Sequence, residues 1–419
     1  MRIAFLSQRF LMPMDTGGKI RTGNILEQLN KKHDITWVGN YNPRKDEQYR
    51  EDISRFCQRF IPVEWNEPER GSPRFYARLA KNLCSTFPVT ALNDYSPELE
   101  QALLETLAEQ EFDLAICDFV QSALLFRQVK NIPTLLFTHN VEAKIFERHL
   151  DAAGNPATQL LWWSQQKRMA RFEKQSVHKF DRVIAVSDND AAIFEREYGA
   201  DNAVSIPTGV DIDFYQPGDP EKSDPHNIVF CGSMDWLPNE DGMKFFLTEI
   251  AGLLDARLEN WSLTIVGRNP SDAMQALAGQ SPNVTLTGWV DDVRTYLETA
   301  GVCIVPLRIG GGTRMKIYEA MAMGKAVVAT TVGAEGLEGE NGRDICLVDQ
   351  PTDIAEAIVE LVLDHDKRRA MEQSARRLVE ENFSWARVAD RFSEICNETI
   401  EVFESKQSVP ELGPGAVSQ

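Results

Sequence analysis

Residues 306–328 hold the densest group of side chains in this chain that could bind a phosphorylated ligand. A strand-like run ends at Pro306-Leu307, the glycines Gly310, Gly311 and Gly312 follow, and helical periodicity begins near Thr313. Glycines allow close backbone approach, and the free amides and positive dipole end of a starting helix suit a phosphate. Arg314 and Lys316 add cationic charge beside it. Glu319 comes about two turns into the helix, and its carboxylate can accept two hydroxyl hydrogen bonds from a ribose. A nucleoside diphosphate fits both features.

Such a turn needs a strand in front of it and a helix behind it, and the chain supplies that pattern repeatedly. Short apolar runs rich in Val, Ile and Phe alternate with stretches of helical period, as expected for parallel strands buried on both faces. In the first half the predicted strands are Arg2–Ser7, Asp34–Gly39, Arg59–Val63, Leu114–Asp118, Thr134–Thr138 and Arg182–Ser187. In the second half they are Asn227–Gly232, Ser262–Gly267, Val284–Thr287, Val302–Leu307, Ala326–Ala329 and Ile345–Val348. The reading is α/β, with two doubly wound domains at 1–207 and 226–365, a linker at 208–225, helices at 366–404 that pack back on the first domain, and a disordered tail at 405–419. Ligands of such sheets bind at the carboxyl ends of the strands, which here points to a cleft between two domains.

Composition removes several function classes. The chain has 419 residues and a net charge of −19, with 26 basic and 28 acidic residues up to residue 205 against 18 and 35 beyond it. Duplex binding depends on Lys and Arg neutralising phosphates, so nucleic acid is excluded as a partner. Seven scattered cysteines without a C-x-x-C pair argue for a reducing compartment and against structural zinc. No stretch reaches the roughly 18 apolar residues of a membrane span, and the opening apolar run Ile3–Leu6 is too short for a signal peptide. The expected location is cytoplasmic.

Family resemblance rests on the same residues. Gly310-Gly-Gly-Thr-Arg-Met-Lys-Ile-Tyr-Glu-Ala-Met-Ala-Met-Gly324 resembles the donor-binding signature of the retaining GT-B glycosyltransferases of the family-4 type. Ile206-Pro-Thr-Gly-Val-Asp211 is similar to that family's interdomain motif, and Gly333-Ala-Glu-Gly-Leu337 to the motif that follows the signature. With Gly17-Gly18 and Thr138-His139-Asn140, the likeness covers nearly the whole chain. Gly232-Ser-Met-Asp-Trp-Leu-Pro-Asn239 resembles a narrower subgroup, associated with exopolysaccharide and PEP-CTERM/exosortase systems.

The resemblance implies a GT-B fold, in which two Rossmann-like domains face each other across a cleft. It implies a hexosyltransferase activity, moving a sugar from a nucleotide-diphosphate sugar to a glycan or lipid-linked acceptor with retention of configuration. The second domain would bind the donor and the first the acceptor. Gly17 and Gly18 would approach the phosphate, and His139 would sit beside the reacting sugar; the same position also suits a helix cap. The family's first signature glutamate is replaced by Gly311, so backbone amides of Gly311 and Gly312, with Thr313, would serve instead. The usual basic pair after the first strand of the second domain is also missing, and Arg268, Arg314 and Lys316 are the expected diphosphate clamp.

No metal or other cofactor is expected. Asp188-Asn-Asp190 and Asp211-Ile-Asp213 have the D-x-D spacing of a metal site, but the first opens a helix and the second lies in the linker. Basic stretches at 70–81 and 167–182, interleaved with aromatic and aliphatic residues, suggest contact with an anionic membrane surface. Two rival functions remain open: a nucleotide-sugar epimerase of the same fold, and a non-catalytic scaffold.

Overall fold

A computed structural model describes residues 1–66, 71–93, 95–151, 153–309 and 315–408. By its contacts the chain divides into two units, one formed by Met1–Ile206 with the described residues from Ala389 onward, the other by Pro207–Val388.

The first unit is built on β1 (Arg2–Ser7), β2 (Asp34–Tyr41), β3 (Arg59–Glu64), β4 (Leu114–Asp118), β5 (Thr134–Phe137), β6 (Arg182–Ala185) and β7 (Ala203–Ser205). They pair in the order β3-β2-β1-β4-β5-β6-β7, every pair parallel. Parallel strands need crossover connections, and the helical stretches between the apolar runs supply them. The central strands β1 and β4 are buried along almost their whole length, as continuous apolar runs demand.

The second unit repeats the plan with β8 (Asp224–Cys231), β9 (Ser262–Val266), β10 (Val284–Gly288), β11 (Ala300–Val305), β12 (Ala326–Ala329) and β13 (Cys346–Leu347), in the order β10-β9-β8-β11-β12-β13 and again all parallel. In each sheet the unit's first strand lies inside, and the chain works outward first on one side and then on the other. That reversal defines the switch point at which doubly wound sheets take ligands. Both units are Rossmann-like α/β layers, as the sequence pattern predicts.

Register places the site residues of the first unit. Ser7 pairs with Asp118, and Asp118 with Phe137, so the ends of three neighbouring strands stop together. His139 lies two residues beyond.

The stretch 208–225, read above as a linker, is held along the second unit. The Val210 amide bonds Phe383 O at 2.8 Å, the Arg376 guanidinium bonds Tyr215 O at 2.8 Å, and Arg294 stacks on Phe214 at 3.7 Å. The final helix Trp385–Ser408 begins in the second unit and continues in the first, where Phe392 meets Phe137 edge-on at 5.1 Å and Lys32 pairs with Asp390.

Candidate functional site

In the first unit the site residues meet at the carboxyl ends of β1, β4 and β5. Asp118 is fully buried, and three donors converge on it: Ser7 Oγ at 3.0 Å, Thr22 Oγ1 at 3.0 Å and His139 Nε2 at 2.8 Å. An ionised carboxylate only accepts, so the Nε2 that faces it carries the proton. Neutral His139 then presents Nδ1 as an acceptor, and this buried atom has no hydrogen-bond partner among the described residues. Burial pushes the His139 pKa below its usual value, with the bond and charge of Asp118 opposing. The imidazole is therefore neutral at neutral pH.

Aromatic rings hold the imidazole in place. Phe119 lies at 4.1 Å and Phe137 at 4.6 Å, centroid to centroid. Phe119 adopts a φ of 62°, an uncommon left-handed value for a bulky residue, and strain of this kind gathers at functional sites. Gly18 explains part of the fit: a Cβ there would stand 2.6 Å from Phe119 Cζ. Gly17, which starts the helix Gly17–Leu29, has open space where a Cβ would be.

Arg21, on the same helix, is almost fully buried and was not singled out from the sequence. Its guanidinium bonds the carbonyls of Thr138 at 2.8 Å and Ile206 at 2.6 Å, and lies over the Phe137 ring at 4.6 Å. Burial pushes its pKa down to about 9, with Asp118 and Asp190 pulling the other way. Arg21 thereby ties the helix that carries Gly17 and Gly18 to the strand end that carries His139.

Glu173 caps the helix that follows His139 in the chain. Its carboxylate accepts the amides of Glu142 at 2.8 Å and Ala143 at 3.1 Å, capping the helix Glu142–Asp151 three residues after His139, and also the Tyr198 hydroxyl at 2.8 Å. Burial pushes its pKa up to about 7 despite these bonds.

In the second unit Lys316 and Glu319 stand on the helix Met315–Ala322. Lys316 Nζ bonds Asn239 Oδ1 at 2.7 Å and sits over the Phe230 ring at 4.4 Å. It also lies against Gly232, where a Cβ would be 2.6 Å from Nζ. The glycine that follows β8 without a basic pair behind it thus has a lysine delivered from elsewhere in the sequence.

Glu319 is partly buried and hydrogen-bonds the side chain of Tyr215. Desolvation raises its pKa, against the pull of Tyr215 and Lys316, and burial with the Glu319 charge raises that of Tyr215. Arg268, just past β9, bonds Ser233 Oγ at 2.9 Å and lies 3.7 Å from Asp235. The segment 232–235 after β8 is therefore bordered by both Lys316 and Arg268. Gly310, Gly311, Gly312, Thr313 and Arg314 lie outside the described residues.

Neither D-x-D stretch gathers into a metal cluster. Asp188 accepts the Ser205 hydroxyl, and Asp211 caps its own turn through the amides of Asp213 and Phe214 at 3.1 and 2.9 Å. Among the described residues no group of three His, Cys, Asp or Glu side chains is placed to hold a metal ion.

Sequence reasoning singled out His139, Gly17, Gly18, Arg268, Lys316 and Glu319 as candidates, and did not single out Asp118, Thr22, Arg21, Tyr215 and Asn239, which the structure places around them. Asp118 did leave a signal, because an acid directly ending a buried apolar run must find donors.

Comparison with known proteins bears on the family and the fold. Residues 16–214 match the family model for Glycosyltransferase Family 4, and residues 225–364 that for Glycosyl transferases group 1. The chain is 20% identical over 400 residues to an uncharacterized 44.6 kDa protein in the cps region of Klebsiella pneumoniae, covering 92% of this chain and 96% of that one. It is 25% identical over 277 residues to the lipopolysaccharide core biosynthesis mannosyltransferase LpcC of Rhizobium leguminosarum, covering 61% and 75%. Among solved structures it resembles the sucrose-phosphate synthase of Thermosynechococcus elongatus with a TM-score of 0.67 at 18% identity, covering 96% and 99%. It also resembles Anabaena HepE, solved in complex with UDP, with a TM-score of 0.63 at 14% identity, covering 95% and 100%. These likenesses establish the GT-B fold. With both family models matched in succession on two Rossmann-like units, the chain belongs to the group 1, family 4 glycosyltransferases, which transfer sugars from nucleotide-sugar donors.

Proposed function

We propose that the protein is a retaining, metal-independent hexosyltransferase that moves a sugar from a nucleotide-diphosphate sugar to a glycan or lipid-linked acceptor in exopolysaccharide or cell-surface glycan synthesis. The observation that carries this reading is the pairing of Lys316 with Glu319 on one helix, Lys316 resting against Gly232 at the end of β8. A cation and a carboxylate at a strand terminus are what a diphosphate and a ribose need. Arg268 borders the same segment, and Gly311, Gly312, Thr313 and Arg314 precede Lys316 in sequence. The cps-region relative supports a polysaccharide product.

In this mechanism the second unit binds the donor and neutralises the departing diphosphate. The acceptor hydroxyl attacks from the face the diphosphate leaves, and its proton passes to a departing phosphate oxygen. Such chemistry rests on electrostatic stabilisation and positioning more than on a side-chain base. Gly17 and Gly18 give the phosphate close backbone approach. His139 is neutral, and its buried Nδ1 is an acceptor without a hydrogen-bond partner among the described residues; leaving it unpaired costs about 1–3 kcal/mol, which a sugar hydroxyl reaching it would offset.

A peripheral membrane contact fits the exposed surface of the first unit. Tyr76 on the helix Pro73–Leu83 and Leu160 and Trp163 on the helix Pro156–Val177 are 60%, 66% and 51% exposed, near the solvent-facing Lys81, Lys167, Arg171 and Lys174 of the same two helices. Arg168 joins these helices through Leu83 O at 2.7 Å. Among the described residues no helix is long and apolar enough to cross a membrane. Sedimentation with anionic liposomes at low salt tests the contact, and failure to sediment removes it.

Calorimetric titration without added metal against UDP, GDP, ADP and NAD tests the donor site. One nucleoside diphosphate should bind selectively and bind more weakly to Glu319→Ala. Absence of binding by all four overturns the reading. Product analysis with donor alone separates transfer from epimerisation.

A further inference from the structure

A cavity of about 430 Å³ in the first unit, at the carboxyl ends of β1, β2 and β3, takes no part in the transfer steps above. Its wall carries Arg9, which follows β1, Lys19 from the first turn of the helix Gly17–Leu29, and Lys45, which follows β2. Asp46 is the single acid in the lining, and its carboxylate is taken by the Asn42 amide at 2.7 Å. Lys19 leans on Pro13 O at 3.3 Å and Asp15 at 3.4 Å, and Arg9 sits over the Phe119 ring at 5.3 Å. With Asp15 on Lys19 counted beside Asp46, three cations meet two acids, which leaves this hollow a surplus positive charge within a chain of net charge −19.

Tyr41 and Trp65 form aromatic walls, and both are held in place. The Tyr41 hydroxyl bonds Glu47, and Arg78 lies over the Trp65 ring at 4.7 Å. Rigid rings beside a few convergent cations suit a small ligand with an apolar face and a negative charge. The pocket also adjoins the reaction residues: Arg9 covers Phe119, whose ring lies 4.1 Å from His139, and Lys19 follows Gly17 and Gly18 directly.

We propose that this pocket is the acceptor subsite and that the acceptor is an anionic sugar, bearing a phosphate or a carboxylate. Arg9, Lys19 and Lys45 receive the charge, and Tyr41 and Trp65 flank the sugar ring. The proposal rests on the transferase reading for the word acceptor, and on the pocket alone for the anionic sugar.

The test is calorimetric titration of the full-length protein with glucose 1-phosphate, glucuronate, glucose and inorganic phosphate, each with and without UDP and GDP. The wild type is compared with Lys45→Glu, a change at an exposed position whose folding is checked by thermal melting. A charged sugar should bind at least about tenfold more tightly than glucose and lose about that factor in Lys45→Glu, while nucleoside diphosphate binding stays unchanged. The phosphate and carboxylate arms show which charge is read. Equal binding of glucose, an unchanged affinity in Lys45→Glu, or inorganic phosphate binding as well as glucose 1-phosphate overturns the proposal. Binding of a nucleoside diphosphate with no charged sugar under any condition overturns the anionic acceptor and leaves the transferase standing. Binding of a charged sugar with no nucleoside diphosphate overturns the transferase reading instead.

Discussion

His139 gives its Nε2 proton to Asp118 across 2.8 Å, and that bond decides which nitrogen of the ring remains for a ligand. Asp118→Asn should therefore do more than weaken one contact. An amide facing Nε2 can offer either a donor or an acceptor, so the ring loses its enforced tautomer. Turnover should fall by at least about tenfold, and the buried network should lose about 1–3 kcal/mol of stability. Because the two side chains act as a unit, the double variant with His139→Ala should be scarcely slower than the worse single one. Steady-state kinetics and urea unfolding of the three variants measure this; additive losses would remove the coupling.

Gly17 and Gly18 separate a positional role from a packing role. A Cβ at Gly18 would meet Phe119 at 2.6 Å, and Phe119 is already strained and packed on His139. Gly18→Ala should cost about 1–3 kcal/mol in unfolding free energy and most of the activity. Gly17→Ala has room, so it should fold as well as the wild type while still losing turnover if a phosphate must approach there. Thermal melting beside a transfer assay distinguishes the two, and a destabilised Gly17→Ala would contradict the open space seen at that position.

Glu173 makes stability depend on pH with a definite sign. Its folded pKa is pushed up to about 7 from 4.5, so between those values the folded state holds more protons than the unfolded one. The stability this group contributes is then greatest at low pH and is lost as pH rises through about 7. Relative to Glu173→Gln, the wild type should weaken by on the order of 2–3 kcal/mol from pH 4.5 to pH 7. Urea midpoints of the two proteins across that range measure it, and parallel curves would show that Glu173 titrates normally.

Tyr215 tests how the ribose carboxylate is held. Its side chain bonds Glu319, so Tyr215→Phe leaves a partly buried carboxylate with one partner fewer. Affinity for the selected nucleoside diphosphate should drop by about fivefold, roughly 1 kcal/mol, and Glu319→Ala should lose more. Calorimetry on both variants checks the order, and a Tyr215→Phe protein that binds more tightly would mean that the hydroxyl competes with the ribose.

Most of the architecture was legible in the sequence because both sheets are parallel and buried on two faces, which leaves continuous apolar runs such as Leu114–Asp118 and Ala326–Ala329. Even the short edge strand β13, Cys346–Leu347, falls within the predicted run Ile345–Val348, although two residues are too few to establish a period. His139, Lys316 and Glu319 were legible through motif spacing. Their partners were not, since Asp118 reaches His139 by strand register, and Tyr215 reaches Glu319 from a stretch whose polarity and proline read as a linker. Arg21 was hidden for another reason: a cation on a helix reads as solvated until the carbonyls of Thr138 and Ile206 are seen around it.

The path of the final helix has a consequence for how the chain is made. The second unit is one contiguous segment, Pro207–Val388, and holds all of its own strands once Val388 has left the ribosome. The first unit is synthesised earlier, yet Phe137 waits for Phe392 and Lys32 for Asp390, both translated after the whole second unit. The first unit therefore completes its fold after the second, reversing the usual order of synthesis and folding, and nascent chains stalled before residue 389 would expose the surface around Phe137 to chaperones.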